Sequence, residues 1–195
     1  MARGKLVLVI APSGSGKDTL MEAAETAFPD LNTLVTCTTR TPRPGEVQEV
    51  DYHFFTREEF EQKISSGEFL EWAEYGGNLY GTLRSSIEDA LADGEVLLAT
   101  IEVQGARHVR DLVPPQELAT IYIDAGGWDV LARRIQARAA IEPKELAKRH
   151  ERYLDEVTFK EEADYVIENP DGGLEEAEQS FIDTIATIRH IVAST

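Results

Sequence analysis

Lys5 opens a run, Leu6-Val7-Leu8-Val9-Ile10, in which every position is apolar and no polar residue alternates. A strand with one wet face would alternate, so the unbroken run predicts a strand buried on both faces. Gly14 and Gly16 interrupt the pattern, and Leu20, Ala24 and Phe28 then recur at helical spacing until Pro29 ends the helix. The alternation continues along the chain. Apolar strand segments at 33–37, 96–103, 119–123 and 165–167 are separated by helical patterns at about 84–93, 105–111, 128–138 and 143–160. A last helix covers 174–192, with Phe181, Ile185, Ile188 and Val192 on one face. Strands alternating with helices predict an α/β fold, a mainly parallel sheet flanked by helices on both sides.

Residues 38–82 break this rhythm. They are rich in Thr, Arg, Gly, Tyr and Phe and hold one short helical pattern at about 57–66. An insertion that builds a binding lobe is the expectation. Residues 139–145, between two Arg-bearing helices, form a second candidate mobile segment. The expected organisation is a single domain over 1–195: a core of 1–35, 83–138 and 155–195, a lobe of 36–82 and a short lid at about 139–154.

Composition narrows the chemistry. The chain has 195 residues, 42% of them hydrophobic, enough for one well-buried core. Its 19 basic and 36 acidic residues give a net charge of −17. So acidic a chain is a poor candidate for gripping duplex nucleic acid or an anionic membrane by bulk charge, and neither partner is expected. An anionic ligand must be held by a local basic site. The single cysteine, Cys37, leaves no internal disulfide and suits a reducing compartment. The longest apolar run, residues 6–11, is too short to span a bilayer. The segment before it superficially resembles an export signal, but Pro12 and the glycines follow too soon, so a cytoplasmic location is expected. A monomer or homodimer is expected.

Between the first strand and the first helix lies Ala11-Pro12-Ser13-Gly14-Ser15-Gly16-Lys17-Asp18-Thr19. That is the context of a phosphate-binding P-loop. Glycines let successive backbone N–H groups point inward, the helix N-terminus adds positive partial charge, and Lys17 brings a mobile full charge. Ser13, Gly14, Ser15, Gly16, Lys17, Asp18 and Thr19 are the candidate contacts to ATP phosphates. Two positions depart from the pattern. Ala11 replaces its first glycine and needs only a permitted φ. Asp18 replaces the Ser or Thr whose hydroxyl ligates Mg²⁺. A carboxylate is also a hard oxygen ligand, so Asp18 is the candidate metal ligand. Without the ion it would repel the nucleotide.

Further along come Thr38-Thr39-Arg40-Thr41-Pro42-Arg43-Pro44-Gly45-Glu46, then Asp51-Tyr52-His53-Phe54, Gly67-Glu68-Phe69-Leu70-Glu71 and Gly77-Asn78-Leu79-Tyr80-Gly81-Thr82. In this order and spacing the chain resembles the guanylate kinases, from the P-loop to the last helix. The resemblance implies that Arg40, Arg43, Tyr52 and Tyr80 grip the phosphate of GMP. Guanidinium forks suit phosphate oxygens, and tyrosine hydroxyls complete them. It implies that Glu71 accepts from guanine N1–H and the 2-amino group, with Thr36 and Thr82 also on the base. Glu46, Gly81 and Glu102 complete the acceptor set. Glu49 stands where that family usually has glycine, which alters a turn.

The family's strand ending D-x-D-x-Q-G reads Thr100-Ile101-Glu102-Val103-Gln104-Gly105 here. Thr100 has lost a charge and Asp18 has gained one, a compensating pair. Arg134, Arg138 and Arg149 correspond to the family's lid and neighbouring arginines, which supply positive charge around the transferred group. Ala139-Ala140-Ile141-Glu142 departs from the family's lid. Asn169 corresponds to a position near the ATP adenine. His53, His108, His150 and His190 are scattered, without metal-ligand spacing.

The resemblance therefore implies an Mg²⁺-dependent P-loop nucleoside monophosphate kinase converting ATP and GMP to ADP and GDP, with dGMP a second acceptor. A related small-molecule kinase such as a ribose bisphosphate phosphokinase shares the Lys17-Asp18 pair, but not the guanine set. A non-catalytic guanylate-kinase-like binding module would not bind ATP.

Overall fold

The computed structural model describes residues 3–138 and 140–194, the side chain of Tyr75 excepted. Ala139, at the start of the expected lid, therefore lies outside the described residues.

The chain begins with strand β1 (Lys5–Ile10), the P-loop segment and helix α1 (Lys17–Ala27). Three two-residue strands follow: β2 (Asn32–Thr33), β3 (Cys37–Thr38) and β4 (His53–Phe54). Next are α2 (Arg57–Ser65), β5 (Phe69–Tyr75), β6 (Asn78–Leu83) and α3 (Arg84–Ala92). The second half runs through β7 (Val96–Thr100), α4 (Val103–Leu112), β8 (Leu118–Asp124), α5 (Trp128–Arg138) and α6 (Pro143–Glu156). It ends with β9 (Tyr165–Glu168) and α7 (Leu174–Ala193).

The main sheet has five strands in the order β2-β7-β1-β8-β9, every pairing parallel. β1 is central, and its successive side chains enter opposite layers. Leu6, Leu8 and Ile10 pack with Ile87, Leu91, Val103, Ala106 and Val109. Val7 and Val9 pack with Leu20, Ala24, Phe181, Ile185 and Ile188. Both faces are dry, as the unbroken apolar run requires, and each such side chain stabilises the fold by about 1.5–3 kcal/mol. The stripe Phe181, Ile185, Ile188 and Val192 is buried along α7.

Residues 37–83 hold a second sheet, order β4-β3-β6-β5, parallel only between β3 and β4. α2 covers it, opened by a capping box in which Thr56 and Glu59 satisfy each other's backbone N–H groups. Phe60, fully buried, stacks on Phe69 at 4.2 Å between ring centroids, with Cys37 and Leu79 beside them.

Several elements differ from the sequence pattern. The segment 33–37 is not one strand. Leu34 N–H still donates to the Leu98 carbonyl of the main sheet, whereas the Thr36 carbonyl accepts from His53 of the second. Leu34 belongs to the main core and Cys37 to the small one, so the chain changes sheets between them. The apolar segment 96–103 ends as a strand at Thr100, because Val103 turns inward as the first residue of α4. The helix expected over 143–160 ends at Glu156 and continues as a 3₁₀ turn, Val157–Glu161, which seats Phe159 in the core. Glu49 has φ +65°, the one non-glycine residue with positive φ among those described, so this position asks for the glycine the family carries.

Candidate functional site

β1 delivers the chain to the P-loop at the carboxyl edge of the parallel sheet, where open α/β sheets place ligands. Gly14 and Gly16 have φ +89° and +91°, left-handed values that favour glycine. Gly16 is the N-cap of α1 and offers no side-chain cap, which leaves the first N–H groups of the helix for an anion. Lys17 donates to Asp18 Oδ1 at 2.9 Å, and the Asp18 side chain is 76% exposed. Thr19 is half-buried one step on. Arg149, from α6, donates to the Ser13 hydroxyl at 3.1 Å and to Glu145 at 3.3 Å. Helix α6 therefore touches the loop.

A cleft of about 430 Å³ opens beside this loop. Ile10, Ala11 and Lys17 form one wall. Thr36, Tyr52, Glu71, Tyr80, Gly81 and Thr82 form the wall contributed by the second sheet and its approach. Thr100, Glu102 and Gly105 lie at its floor, and Arg152, Asp155 and Glu156 at the end of α6. Thr36 stands where the chain passes between sheets, which is why it faces the cleft.

Glu71 is aimed by an irregularity in the sheet. Phe69 pairs with Leu83 but Glu71 with Thr82, so Leu70 is the extra residue of a β-bulge. Phe69 packs in the small core and Leu70 in the main one, and Glu71 faces the cleft. Thr82 Oγ1 donates to Glu71 Oε1 at 2.7 Å. Burial lifts the Glu71 carboxyl above its ordinary range, and the Thr82 bond partly opposes that. Gly81 is required by packing: a Cβ there would lie 2.8 Å from the Glu71 carbonyl and 3.1 Å from the Phe60 ring.

Arg40, Glu46, Tyr52 and Tyr80 form one cluster. Arg40 Nη2 donates to Glu46 Oε1 at 2.8 Å, and Glu46 Oε2 accepts the Arg43 N–H at 2.7 Å. The Arg40 guanidinium stands 5.4 Å from the Tyr52 ring centroid, and the Tyr52 and Tyr80 rings meet edge-on at 6.4 Å. Glu46 holds its carboxyl low through Arg40 and keeps Arg40 charged and oriented. Tyr52 and Tyr80 line the cleft, whereas Arg40 stands behind Tyr52 and Arg43, its backbone tied to Glu46, is likewise not part of the lining.

On the floor, burial raises the Glu102 carboxyl, and Lys17 pulls it back. Glu156 is pushed up to about 7 by burial and then by Glu102. Asp155 and Glu156 were not among the sequence-derived candidates. The available signal was the spacing of Arg152 and Glu156, one helical turn apart on α6.

Arg134 donates to Asp171 Oδ1 at 3.0 Å and to the Asn169 carbonyl at 2.9 Å, while Arg138 is exposed at the end of α5. The Asn169 carboxamide donates to the Ser15 carbonyl at 2.7 Å. Among the described residues no group of three or more His, Cys, Asp and Glu side chains is placed to hold a metal ion unaided, and no helix is long and apolar enough to cross a membrane.

The arrangement offers an anion cradle with Lys17, a carboxylate acceptor in Glu71, and an Arg–Tyr cluster whose two tyrosines line the same cleft. A family model described as guanylate kinase matches residues 3–187. The guanylate kinase of Rubrobacter xylanophilus is 42% identical over 193 residues, covering 99% of this chain and 97% of that protein. That of Idiomarina loihiensis is 39% identical over 191 residues, covering 97% and 86%. The crystal structure of guanylate kinase from Anaplasma phagocytophilum superimposes with a TM-score of 0.71 at 30% identity, covering 97% of this chain and 86% of that one.

Proposed function

Because the chain belongs to the guanylate kinase family, we propose that it transfers the γ-phosphoryl group of ATP to GMP, giving ADP and GDP, with dGMP as a second acceptor. The observation that carries this reading is that Lys17 of the P-loop and Glu71 of the second sheet line one cleft. A donor held at the first and a nucleotide whose guanine is held at the second share that cleft, which the tyrosines Tyr52 and Tyr80 also line, so the acceptor phosphate can meet the γ-phosphoryl group within it.

In this reading Ser13, Gly14, Ser15, Gly16 and Thr19 surround the donor phosphates, and Lys17 binds the β- and γ-oxygens. Arg40, Arg43, Tyr52 and Tyr80 hold the acceptor phosphate, with Glu46 keeping Arg40 in place. Glu71, Thr36, Thr82 and Glu102 hold the nucleoside, against Gly81. Adenine has no donor pair for Glu71, which leaves that buried carboxyl unsatisfied with AMP. The acceptor phosphate oxygen is already a nucleophile, so no side-chain base is needed. The protein's work is positioning and charge stabilisation by Lys17, Arg134, Arg138 and Arg149. Residues 36–82 act as the acceptor lobe and about 139–154 as the lid, and closing them excludes water from ATP.

The residues present fit Mg²⁺ delivered on the nucleotide. The ion takes one or two carboxylates plus substrate phosphates, and the exposed Asp18 carboxylate stands at the cradle rim beside Lys17. When bound, Mg²⁺ neutralises charge on the β- and γ-phosphates. A monomer or homodimer in the cytoplasm suits this reading, the lone Cys37 being buried and unpaired.

A coupled ADP-release assay across GMP, dGMP, AMP, UMP and CMP, with Mg²⁺ titrated, tests the proposal. Turnover with GMP and dGMP alone supports it. Phosphorylation of a ribose phosphate without GMP turnover overturns it, as does failure to bind ATP.

A further inference from the structure

Asn169 follows β9 and is 3% exposed, yet its carboxamide reaches the P-loop, donating to the Ser15 carbonyl at 2.7 Å. Ser15 is also buried, and its Oγ is the buried side-chain polar atom without a hydrogen-bond partner among the described residues. The loop is therefore held at Ser15 by its backbone. The Ser15 N–H donates to the Pro12 carbonyl at 3.1 Å, and the Ser15 carbonyl accepts from Asn169. Gly16 makes room for this approach: a Cβ there would lie 2.4 Å from Asn169 Nδ2.

Asn169 is fixed on its other sides too. Its N–H donates to the Asp124 carbonyl at the end of β8 at 2.7 Å, and its carbonyl accepts from Arg134 at 2.9 Å. Arg134 is held in turn by Asp171. The stretch 169–171 thus ties the P-loop, the end of β8 and helix α5 together.

We propose that Asn169 is a positioning residue for phosphoryl-donor binding: it sets the Ser15–Gly16 peptide of the P-loop and, through its own carbonyl, the place of Arg134. The inference rests on the kinase reading above. The Ser15 carbonyl and the Gly16 N–H share one rigid plane and point opposite ways. Drawing the carbonyl onto Asn169 therefore aims the Gly16 N–H away from it, towards the cradle. A cradle set in advance binds a polyphosphate without first ordering the loop, which is the larger cost of anion binding by flexible backbone. Asn169 is not among the residues that line the cleft with Thr36, Tyr52, Glu71 and Thr82, and its carboxamide bond goes to the P-loop, so its effect should fall on the donor.

The test uses the full chain carrying Asn169→Ala or Asn169→Asp. Affinities for ADP with Mg²⁺ and for GMP are read by calorimetry, with KM values for ATP and GMP and the melting temperature alongside. An unsatisfied buried carbonyl predicts ADP binding weakened by about tenfold or more, GMP binding changed by no more than about twofold, and KM rising for ATP alone. Asn169→Asp keeps the shape but turns an acceptor towards the Ser15 carbonyl, so it decides the matter should Asn169→Ala fail to fold. Equal weakening of both nucleotides, or a lowered melting temperature with ADP affinity unchanged, overturns the inference. A parent chain that binds neither nucleotide overturns the kinase reading and this inference with it. A parent that binds both, with a variant of unaltered ADP affinity, overturns this inference alone.

Discussion

Thr82 Oγ1 donates to Glu71 Oε1 across 2.7 Å, and Gly105 lies against the other carboxylate oxygen, at 3.4 Å from where its Cβ would be. Glu71 is therefore held by one hydroxyl on the cleft wall, beside a glycine whose Cβ would lie only 2.8 Å from the Ile101 side chain. Glu71→Gln replaces a carboxylate acceptor with a group that is half donor. Losing one charge-assisted hydrogen bond costs about 1.5–3 kcal/mol, so KM for GMP should rise roughly tenfold to a hundredfold while KM for ATP holds. Steady-state kinetics with each substrate varied would show it, and an unchanged KM for GMP would remove Glu71 from base recognition.

Phe60 is fully buried and is the anchor of the small core under the second sheet. Phe60→Ala should cost about 3–5 kcal/mol, through lost burial and the cavity left behind. The main core does not contain Phe60, so the damage should stay local. Calorimetry should find GMP binding lost and ADP binding retained, with a lower melting temperature. Retained GMP affinity would mean that the acceptor wall does not depend on this core.

Glu156 gives a pH signature. Burial first, then Glu102 and Asp155, raise its carboxyl from 4.5 to about 7, with Arg152 opposing. A group whose folded pKa exceeds its unfolded value favours the folded state in its protonated form. That contribution is fully present below about 4.5 and is lost as pH rises through about 7. Glu156→Gln removes the charge at every pH. Its melting temperature should match the parent's near the acid limit and exceed it by a margin that widens up to pH 8. A margin that stays flat between pH 5 and 8 would count against this.

Asp18 bears on the metal. Its ion pair with Lys17 is exposed at the carboxylate end, and such pairs contribute only about 0–1 kcal/mol, so it leaves the carboxylate available to a cation. Asp18→Ser should keep phosphoryl transfer while shifting the Mg²⁺ concentration needed for half-maximal rate. Superimposable Mg²⁺ titrations of the two forms would refute a role in holding the ion.

The apolar run of β1 and the stripe of α7 were legible because each element meets one environment along its whole length. The segment 33–37 was not, since its ends serve different cores. The hairpin of β5 and β6 was also missed, although Gly76 and Gly77, with φ +59° and +81°, supply the turn that a two-residue hairpin demands. Its strands alternate weakly because Glu71, Tyr80 and Thr82 face a cleft rather than a core. The P-loop was readable from local spacing alone. The carboxylates of α6 were not, because only the fold brings Glu156 opposite Glu102.

β3 and β6 pair antiparallel, so the backbone entering the second sheet at Thr36 and leaving it at Leu83 runs as a double stem. Between those ends the segment is pinned once more, where Leu70 sits in the main core and Glu71 lies against Gly105 of α4. Any swivel that carried the Arg–Tyr cluster towards Lys17 would leave the pairings of β1 intact but would have to pivot about Leu70.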